Sequence, residues 1–579
     1  MAFYILNLHE FFFNTGVQLG DDYTLGFTYL LFDYYWNLST GFWNIPWFTP
    51  SQCGGLPFLA DPNSSHYSLA AILTLFASPW SAIRLSVVTF PLLGLLGSYL
   101  LARRGFGLSI AAALLCGVLF EWNGFYDHRM LAGHLAFQGI MLLPLFAWLM
   151  LQPGGLAMRL ATVGGLGIGF AYLIHAAMAQ LLLPFGLTLA IVTAIRAAKS
   201  GWTAEPWIRV IIGGLLGLGL SAQRLVASFA LLAHFPRSDY LLPGFDGLWT
   251  SFKATLIMVF YGPDIDRSWL TNVQWLQDRH ELEYSMTPLP LVLFASVIAV
   301  WSYQKRVTSR SGKFATASIL AIVVAAALGV VPVLLNWYQP QWNAFLKSLP
   351  IIGSSSTMIR WLTVYLLPVA LLTALSWDWL ATRLPRLPEW SVLIAIAAVM
   401  AFQSSDDRSF YHQHYNAQNI EQAWHRAAET GVAPPITAIG VFTNKAGQAI
   451  SVFGGNDIMT QGYSQLLCYQ PMLGYRLENL VIGHLHPGSV FDTQDGWLNI
   501  KNPACYVYPD ENHCRPGDEF RADQRAQAQA FAAYKPFDFA VPLRQVIANW
   551  MTRFSAVFVL LLMGAAAVIG LRQTKRSVP

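Results

Sequence analysis

Residues 314–337 of the chain, FATASILAIVVAAALGVVPVLLNW, contain no charged side chain. A run of this length suits a transmembrane helix, because about 20 apolar residues cross a hydrocarbon core roughly 30 Å thick. Basic residues precede the run, at Lys305, Arg306, Arg310 and Lys313. Lys and Arg concentrate in the cytoplasmic loops of membrane proteins. The stretch therefore predicts a membrane helix whose orientation can be inferred.

Similar apolar runs recur along the chain, which has 579 residues, of which 55% are hydrophobic and 11% are charged. Soluble domains carry roughly 25% charged residues. The runs lack the alternation of barrel strands, so they predict an all-α polytopic membrane protein. The eleven predicted spans lie at about 82–102, 108–123, 131–151, 158–175, 177–196, 208–232, 287–304, 314–337, 359–381, 389–404 and 554–571.

Basic residues fall in every second gap between these spans. They are Arg103, Arg104, Arg159, Arg196, Lys199, Arg209, Lys305, Arg306, Arg310, Lys313, Arg383, Arg386, Arg572, Lys575 and Arg576. The positive-inside rule places these gaps and the C-terminus in the cytoplasm. We expect an integral protein of a bacterial inner (plasma) membrane with its other loops outside. The net charge of +4 comes from basic residues in short loops, so it does not indicate a surface that binds nucleic acid.

Four regions follow from this pattern. They are an outer segment at 1–81 with an interfacial helix, a transmembrane domain at 82–404 with a large outer loop at 233–286, an outer α+β domain at 405–553, and a final helix with a basic tail at 554–579. Eleven spans that end inside require an outer N-terminus. We expect that a first transmembrane helix is missing through truncation or a misplaced start, unless one span is assigned wrongly.

Four of the five cysteines lie in the predicted outer regions, where disulfides persist. Cys505 and Cys514 are close together in a loop that contains Pro and Asn, and they form the predicted bridge. Cys53 and Cys468 are the other two outer cysteines. Cys116 lies inside a span and is expected to be an inert packing residue.

Asp21 and Asp22 follow Gly20, just before an aromatic stretch that begins at Tyr23. Adjacent carboxylates outside a membrane can act as a general base for an acceptor hydroxyl or as metal ligands. The alternative is a solvated pair that caps the helix starting near Tyr23, and the spacing alone favours the cap.

Two motifs follow the acidic pair, WNIPW at residues 43–47 and GLPFLADP at 55–62. With the Gly-Asp motif, the many spans and the outer domain before the last helix, they resemble the YfhO-type and related membrane glycosyltransferases of the GT-C fold class. The resemblance implies that Asp21 or Asp22 acts as catalytic base or metal ligand, with Mg²⁺ or Mn²⁺ as an optional cofactor. It also implies a polyprenyl-phosphate-linked sugar donor.

Ionisable residues at a membrane face are costly and often functional. Arg129 and His134 could hold a lipid-linked phosphate, because Arg offers two parallel donors. Glu121 could be a second acid. The alternative is a polar turn in which Arg129 reaches for the interface.

Arg224 lies in mid-span and is expected either to pair with an Asp or to hold a phosphate. Arg360 follows SSST at residues 354–357, in the first turn of a predicted helix. A helix N-terminus that faces outward is a ready anion site, although ordinary capping explains the same residues.

The outer loop 233–286 carries Arg237, Arg279 and His280, which would suit the roof of an active site. Asp264 and Asp266 form a weak Asp-x-Asp metal pattern. A solvated loop explains these residues equally well.

We expect an enzyme that transfers a sugar from a lipid-phosphate donor in the bilayer to an extracytoplasmic glycan, lipid or protein. The rival is a transporter or flippase of lipid-linked saccharides, and a non-catalytic polysaccharide-assembly subunit is a third possibility. A transporter needs ionisable groups at mid-depth, whereas the charged clusters crowd the outer face. No Walker motif is present, which argues against an ATP-driven pump.

Overall fold

The structure is a computed structural model that describes residues 2–236, 240–272, 279–308, 316–349, 352–384, 388–405, 412–441, 456–474 and 477–576. The described chain is mostly helical. Its α-helices are Ala2–Asn7, His9–Phe12, Tyr23–Thr40, Leu69–Thr74, Pro79–Leu100, Ile110–Glu121, Gly124–Ala132, Leu143–Leu151, Leu156–His175, Leu182–Ser200, Glu205–Leu220, Ala222–His234, Leu248–Phe260, Arg279–Leu282, Leu289–Thr308, Thr316–Leu335, Pro340–Ser348, Leu366–Arg383, Ser391–Ser404, Gln418–Thr430, Ala504–Val507, Arg525–Ala532 and Leu543–Arg576.

Six helices of the described chain are long and apolar enough to cross a membrane. They are Pro79–Gly105, Leu156–His175, Ala179–Ser200, Thr316–Leu335, Ile359–Arg383 and Leu543–Gln573. A seventh span is present if Glu205–Leu220 and Ala222–His234, which meet at an angle of 70°, are counted as one. An integral membrane protein follows from these lengths and compositions.

The other four predicted spans coincide with helices that are not among these six. They are Ile110–Glu121, Leu135–Leu151, Leu289–Thr308 and Ser391–Ser404. Three of the four have fewer than 18 residues, which is short for a bilayer crossing. The polytopic character is therefore supported, while the count of eleven spans stays a prediction.

The aromatic stretch after the acidic pair forms the helix Tyr23–Thr40, most of which is buried. Its Phe32 and Tyr35 contact Tyr534, and its Tyr34 contacts Trp424. Both partners lie in the predicted outer domain at 405–553. The expectation of an interfacial helix lying on the membrane is wrong. Its apolar and aromatic side chains are spread around the helix instead of forming one face, and a helix of that kind is buried in a protein core.

The outer domain contains two small three-stranded sheets in its described part. In one, Ala438–Gly440 pairs in parallel with Tyr463–Gln465 and antiparallel with Gly488–Ser489. In the other, Trp497–Lys501 pairs antiparallel with Thr493–Gln494 and Glu519–Arg521. Two-stranded pairs join Phe48–Thr49 to Leu56–Pro57, and Gly244–Phe245 to Leu270–Thr271.

The outer segment and the outer domain are fastened to each other. A disulfide joins Cys53 to Cys468, which are 415 positions apart, and Leu19 forms an antiparallel bridge with Tyr415. A second disulfide joins Cys505 to Cys514 within the outer domain. Residues 2–81 therefore share one hydrophobic core with the outer domain instead of standing apart as a loop.

Candidate active site

A cavity of about 960 Å³ lies where the outer segment, the membrane helices and the outer domain meet. Its polar lining includes both residues of the acidic pair. The charged, hydroxyl, amide and imidazole side chains in its wall are those of Asp21, Asp22, Tyr29, Asn63, Ser65, Ser68, His134, Gln138, Gln180, His280, Glu281, Ser356, Thr357, Arg360, Gln413 and Tyr469.

Two glycines allow the acidic pair to approach the helix Gly124–Ala132. A Cβ on Gly20 would lie 2.3 Å from the carbonyl oxygen of Ala132. Gly133 has φ +104°, and a Cβ there would lie 2.5 Å from the backbone nitrogen of Tyr23. Only glycine permits this approach without displacing backbone. The close contact places Asp22 beside His134.

Asp22 is held through both of its carboxylate oxygens. Its Oδ2 lies 2.5 Å from His134 Nε2, and its Oδ1 accepts a hydrogen bond of 2.7 Å from the hydroxyl of Tyr469. Burial alone would raise the pKa of Asp22. The nearby His134 and His280, with the hydrogen bonds from His134 and Tyr469, outweigh burial and lower that pKa to about 2. Asp22 is therefore an oriented carboxylate that is ionised at neutral pH.

His134 has a defined tautomer in this arrangement. Its Nδ1 lies 3.0 Å from Nη1 of Arg129, and a guanidinium can only donate. The Nδ1 atom must therefore accept, so the ring proton sits on Nε2 and is donated to Asp22. His280 packs edge-on against His134 at 4.6 Å between ring centroids. Burial and the neighbouring His134 lower the pKa of His280 to about 3, which keeps that imidazole neutral.

Glu281 lies between two arginines. Its Oε2 accepts a hydrogen bond of 2.8 Å from Arg129, and Arg360 also bonds to both of its oxygens. Burial would raise the pKa of Glu281, but the two guanidinium groups hold it well below its ordinary value. The ring of Phe137 contacts both guanidinium groups, at 4.5 Å from Arg129 and 5.0 Å from Arg360. A shared carboxylate and a shared ring therefore hold these two cations close together.

The two arginines differ in their access to the cavity. Arg129 is fully buried and is not among the described residues that line the cavity. Arg360 lines the wall and its side chain is 22% exposed, beside the hydroxyl-bearing Ser356 and Thr357. Arg360 is thus the cation that an anionic ligand can reach, whereas Arg129 supports His134 and Glu281 from behind.

The structure also distinguishes Asp21 from Asp22. The carboxylate of Asp21 accepts a hydrogen bond of 3.0 Å from the backbone of His414, and its own backbone N–H donates to Gln413. Asp21 therefore ties the outer domain to the acidic motif, and Asp22 carries the imidazole and phenol contacts. The geometry therefore favours Asp22 over Asp21 as the candidate functional carboxylate.

In the described chain, one group of three residues could supply metal ligands, namely Asp22, His134 and His280. One ligand atom from each of them lies within 4.8 Å of the other two. A metal-bound neutral histidine keeps N–H on its other nitrogen, normally facing an oxygen acceptor. The other nitrogen of His134 faces Arg129 instead. Mg²⁺ also prefers oxygen ligands to imidazole. The residues therefore do not fit the expected Mg²⁺ or Mn²⁺ as they are arranged.

Besides Arg129, two more predicted site residues lie away from the cavity lining, Glu121 and Arg224. Glu121 is 2% exposed at the end of the helix Ile110–Glu121, so the structure gives it no access to a substrate. Arg224 is also buried, and it donates to the carbonyl groups of Asp61, Pro62, Ser64 and His175. Arg224 therefore holds the GLPFLADP segment and does not offer its charge to a phosphate.

The predicted residues of the outer loop 233–286 also differ in whether they line the cavity. His280 lines the cavity, whereas Arg279 lies 3.9 Å from Glu283 and is outside the described lining. Asp264 and Asp266 are exposed and do not belong to the metal-ligand group found in the described chain. Asp266 caps a turn by accepting a hydrogen bond from the backbone of Ser268. Arg237 falls outside the described residues.

The sequence does not single out two residues of the site, Glu281 and Tyr469. Glu281 stands in a charged cluster with Arg279 and His280, and that cluster was the available signal. Tyr469 carries no local signal beyond its position next to Cys468. Comparison with models of known families, with curated proteins and with solved structures gives no match, so the assignment of function depends on the site itself.

Proposed function

We propose that the protein is a membrane glycosyltransferase that moves a sugar from a polyprenyl-phosphate-linked donor to an extracytoplasmic acceptor. One observation carries the proposal. An ionised carboxylate, Asp22, and an accessible guanidinium, Arg360, line the same cavity beside the membrane helices. Such a site offers a base for the acceptor and a cation for the leaving phosphate, in keeping with the GT-C resemblance.

The chemistry assigns each group a role. The acceptor hydroxyl donates to Asp22 while its oxygen bonds to the anomeric carbon, and the bond from that carbon to the phosphate oxygen breaks. The hydroxyl proton passes to Asp22, and Arg360 stabilises the negative charge that develops on the phosphate. A carboxylate suits this reaction, because glycosyl transfer has an oxocarbenium-like transition state that negative charge stabilises.

His134 and Glu281 prepare these two groups. The Nε2–H of His134 fixes one oxygen of Asp22, and Glu281 fixes the guanidinium of Arg360. Because these partners are already in place, little reorganisation is needed during the reaction. Arg129 contacts both partners from the buried side and so couples the acidic and cationic ends of the site.

The rival function is transport of a lipid-linked saccharide across the membrane. The 70° break between Glu205–Leu220 and Ala222–His234 is the feature that favours transport, because broken helices often form transport sites. The charge at this break, Arg224, is bonded to backbone carbonyl groups, which favours a structural role.

The test compares cells that carry the protein with cells that lack it. Lipid-linked and surface glycans are measured by mass spectrometry, and intact spheroplasts are treated with membrane-impermeant periodate. A missing transferase leaves the acceptor undecorated and the lipid-linked sugar oxidisable from outside. A missing flippase leaves that sugar protected inside, and this result would refute the proposal.

Product formation should persist after divalent ions are removed. Because His134 directs its second nitrogen at Arg129, we expect membranes washed with EDTA and 1,10-phenanthroline to keep their transfer activity within about twofold. The measurement is product per unit of protein with the endogenous donor and acceptor. Loss of activity that Mn²⁺ or Zn²⁺ restores would show that Asp22, His134 and His280 rearrange to bind an ion.

A further inference from the structure

The residue that fixes the second oxygen of Asp22 comes from the outer domain. Tyr469 lies 447 positions along the chain from Asp22, and its side chain is almost fully buried in the wall of the cavity. The two oxygens of Asp22 thus have different partners, His134 on Oδ2 and Tyr469 on Oδ1. Together these contacts define the plane of the carboxylate and the direction of its remaining lone pairs.

The neighbours of Tyr469 attach the same segment to the outer segment. Gln470 donates to Asp61 at 3.1 Å and to the hydroxyl of Tyr29 at 2.8 Å, and all three side chains are buried. On its other side, Cys468 forms the disulfide with Cys53. A covalent bond and a buried polar cluster therefore flank Tyr469 and limit its freedom.

We propose that Tyr469 is a positioning residue for Asp22, and that the Cys53–Cys468 disulfide keeps it in place. The outer domain is then part of the active site. The transferase becomes fully active only after a thiol oxidant outside the cytoplasm has taken two electrons and two protons from the cysteine pair. The inference rests on the proposed function and adds to it a dependence on oxidation. The other disulfide, Cys505–Cys514, closes a local loop of the outer domain and does not help to position Tyr469.

The chain supplies a matched control for the disulfide. Variants Tyr469→Phe, Cys53→Ser/Cys468→Ser and Cys505→Ser/Cys514→Ser are compared with wild type and with Asp22→Asn in cells that lack the native protein. Membrane levels and thermal unfolding of the purified full chain are matched first. Glycan product is then measured by mass spectrometry over a range of growth and assay pH.

A hydrogen bond to a charged group is strong, so Tyr469→Phe should lower product formation by about tenfold or more while the chain stays folded. The Cys53→Ser/Cys468→Ser variant should lose activity to a similar extent, and the Cys505→Ser/Cys514→Ser control should not. Loss of the phenol donor should also move the acid limit of activity to higher pH. The groups facing Asp22 that bear on this limit are His134, His280 and Tyr469.

Three results would overturn the inference in distinguishable ways. If Tyr469→Phe matches wild type while Asp22→Asn is inactive, the glycosyltransferase proposal stands and the positioning role fails. If Asp22→Asn also matches wild type, both fail together. Equal losses in the two disulfide variants would show that the Cys53–Cys468 bond has no specific role in holding Tyr469.

Discussion

The Asp22→Asn variant is expected to form product about 10²- to 10⁴-fold more slowly than wild type, the usual contribution of a general base. Asparagine keeps the size of the side chain and an oxygen that can accept from His134 or Tyr469. It removes the negative charge and the site that takes the acceptor proton. The measurement is glycan product per unit of membrane protein, by mass spectrometry, in cells that lack the native chain.

Asp21→Asn is the matched control for this experiment. Asp21 uses its carboxylate to accept from the backbone of His414, and an amide oxygen can do the same. We expect its product to stay close to the wild-type level and its unfolding temperature to change little. A larger loss in Asp21→Asn than in Asp22→Asn would reverse the assignment of the base.

Arg129→Gln should lower the free energy of unfolding by about 3–5 kcal/mol, the cost of removing one partner from a buried ion pair. Arg129 is fully buried, bonds to Glu281 and His134, and lies over the rings of Phe125 and Phe137. A glutamine can replace none of the charge or stacking. Thermal unfolding of the purified protein in detergent and its yield in membranes measure the effect.

Arg360→Gln separates stability from function. Glu281 keeps its bond to Arg129 in this variant, so we expect a folded chain with a smaller stability loss. Product formation should fall, because Arg360 is the cation that reaches the cavity. If Arg360→Gln unfolds the protein as Arg129→Gln does, the division between a supporting and a ligand-facing arginine is wrong.

Membrane character could be inferred from the sequence because it depends on local composition. A helix such as Thr316–Leu335 satisfies its own backbone hydrogen bonds and needs only an apolar surface to enter a bilayer. The Cys505–Cys514 bond could also be inferred, since the two cysteines are only nine positions apart in one loop. The interfacial helix was misplaced because an aromatic surface suits a lipid interface and a protein core equally well.

Sequence alone determined the apolar helices, the basic loops, the acidic pair and the types of side chain available for chemistry. The tertiary structure decided which of them meet. Asp22, His134, Glu281, Arg360 and Tyr469 are spread over most of the chain and converge on one cavity. Such convergence follows from long-range packing and from close backbone approaches such as that at Gly133, and no local pattern encodes it.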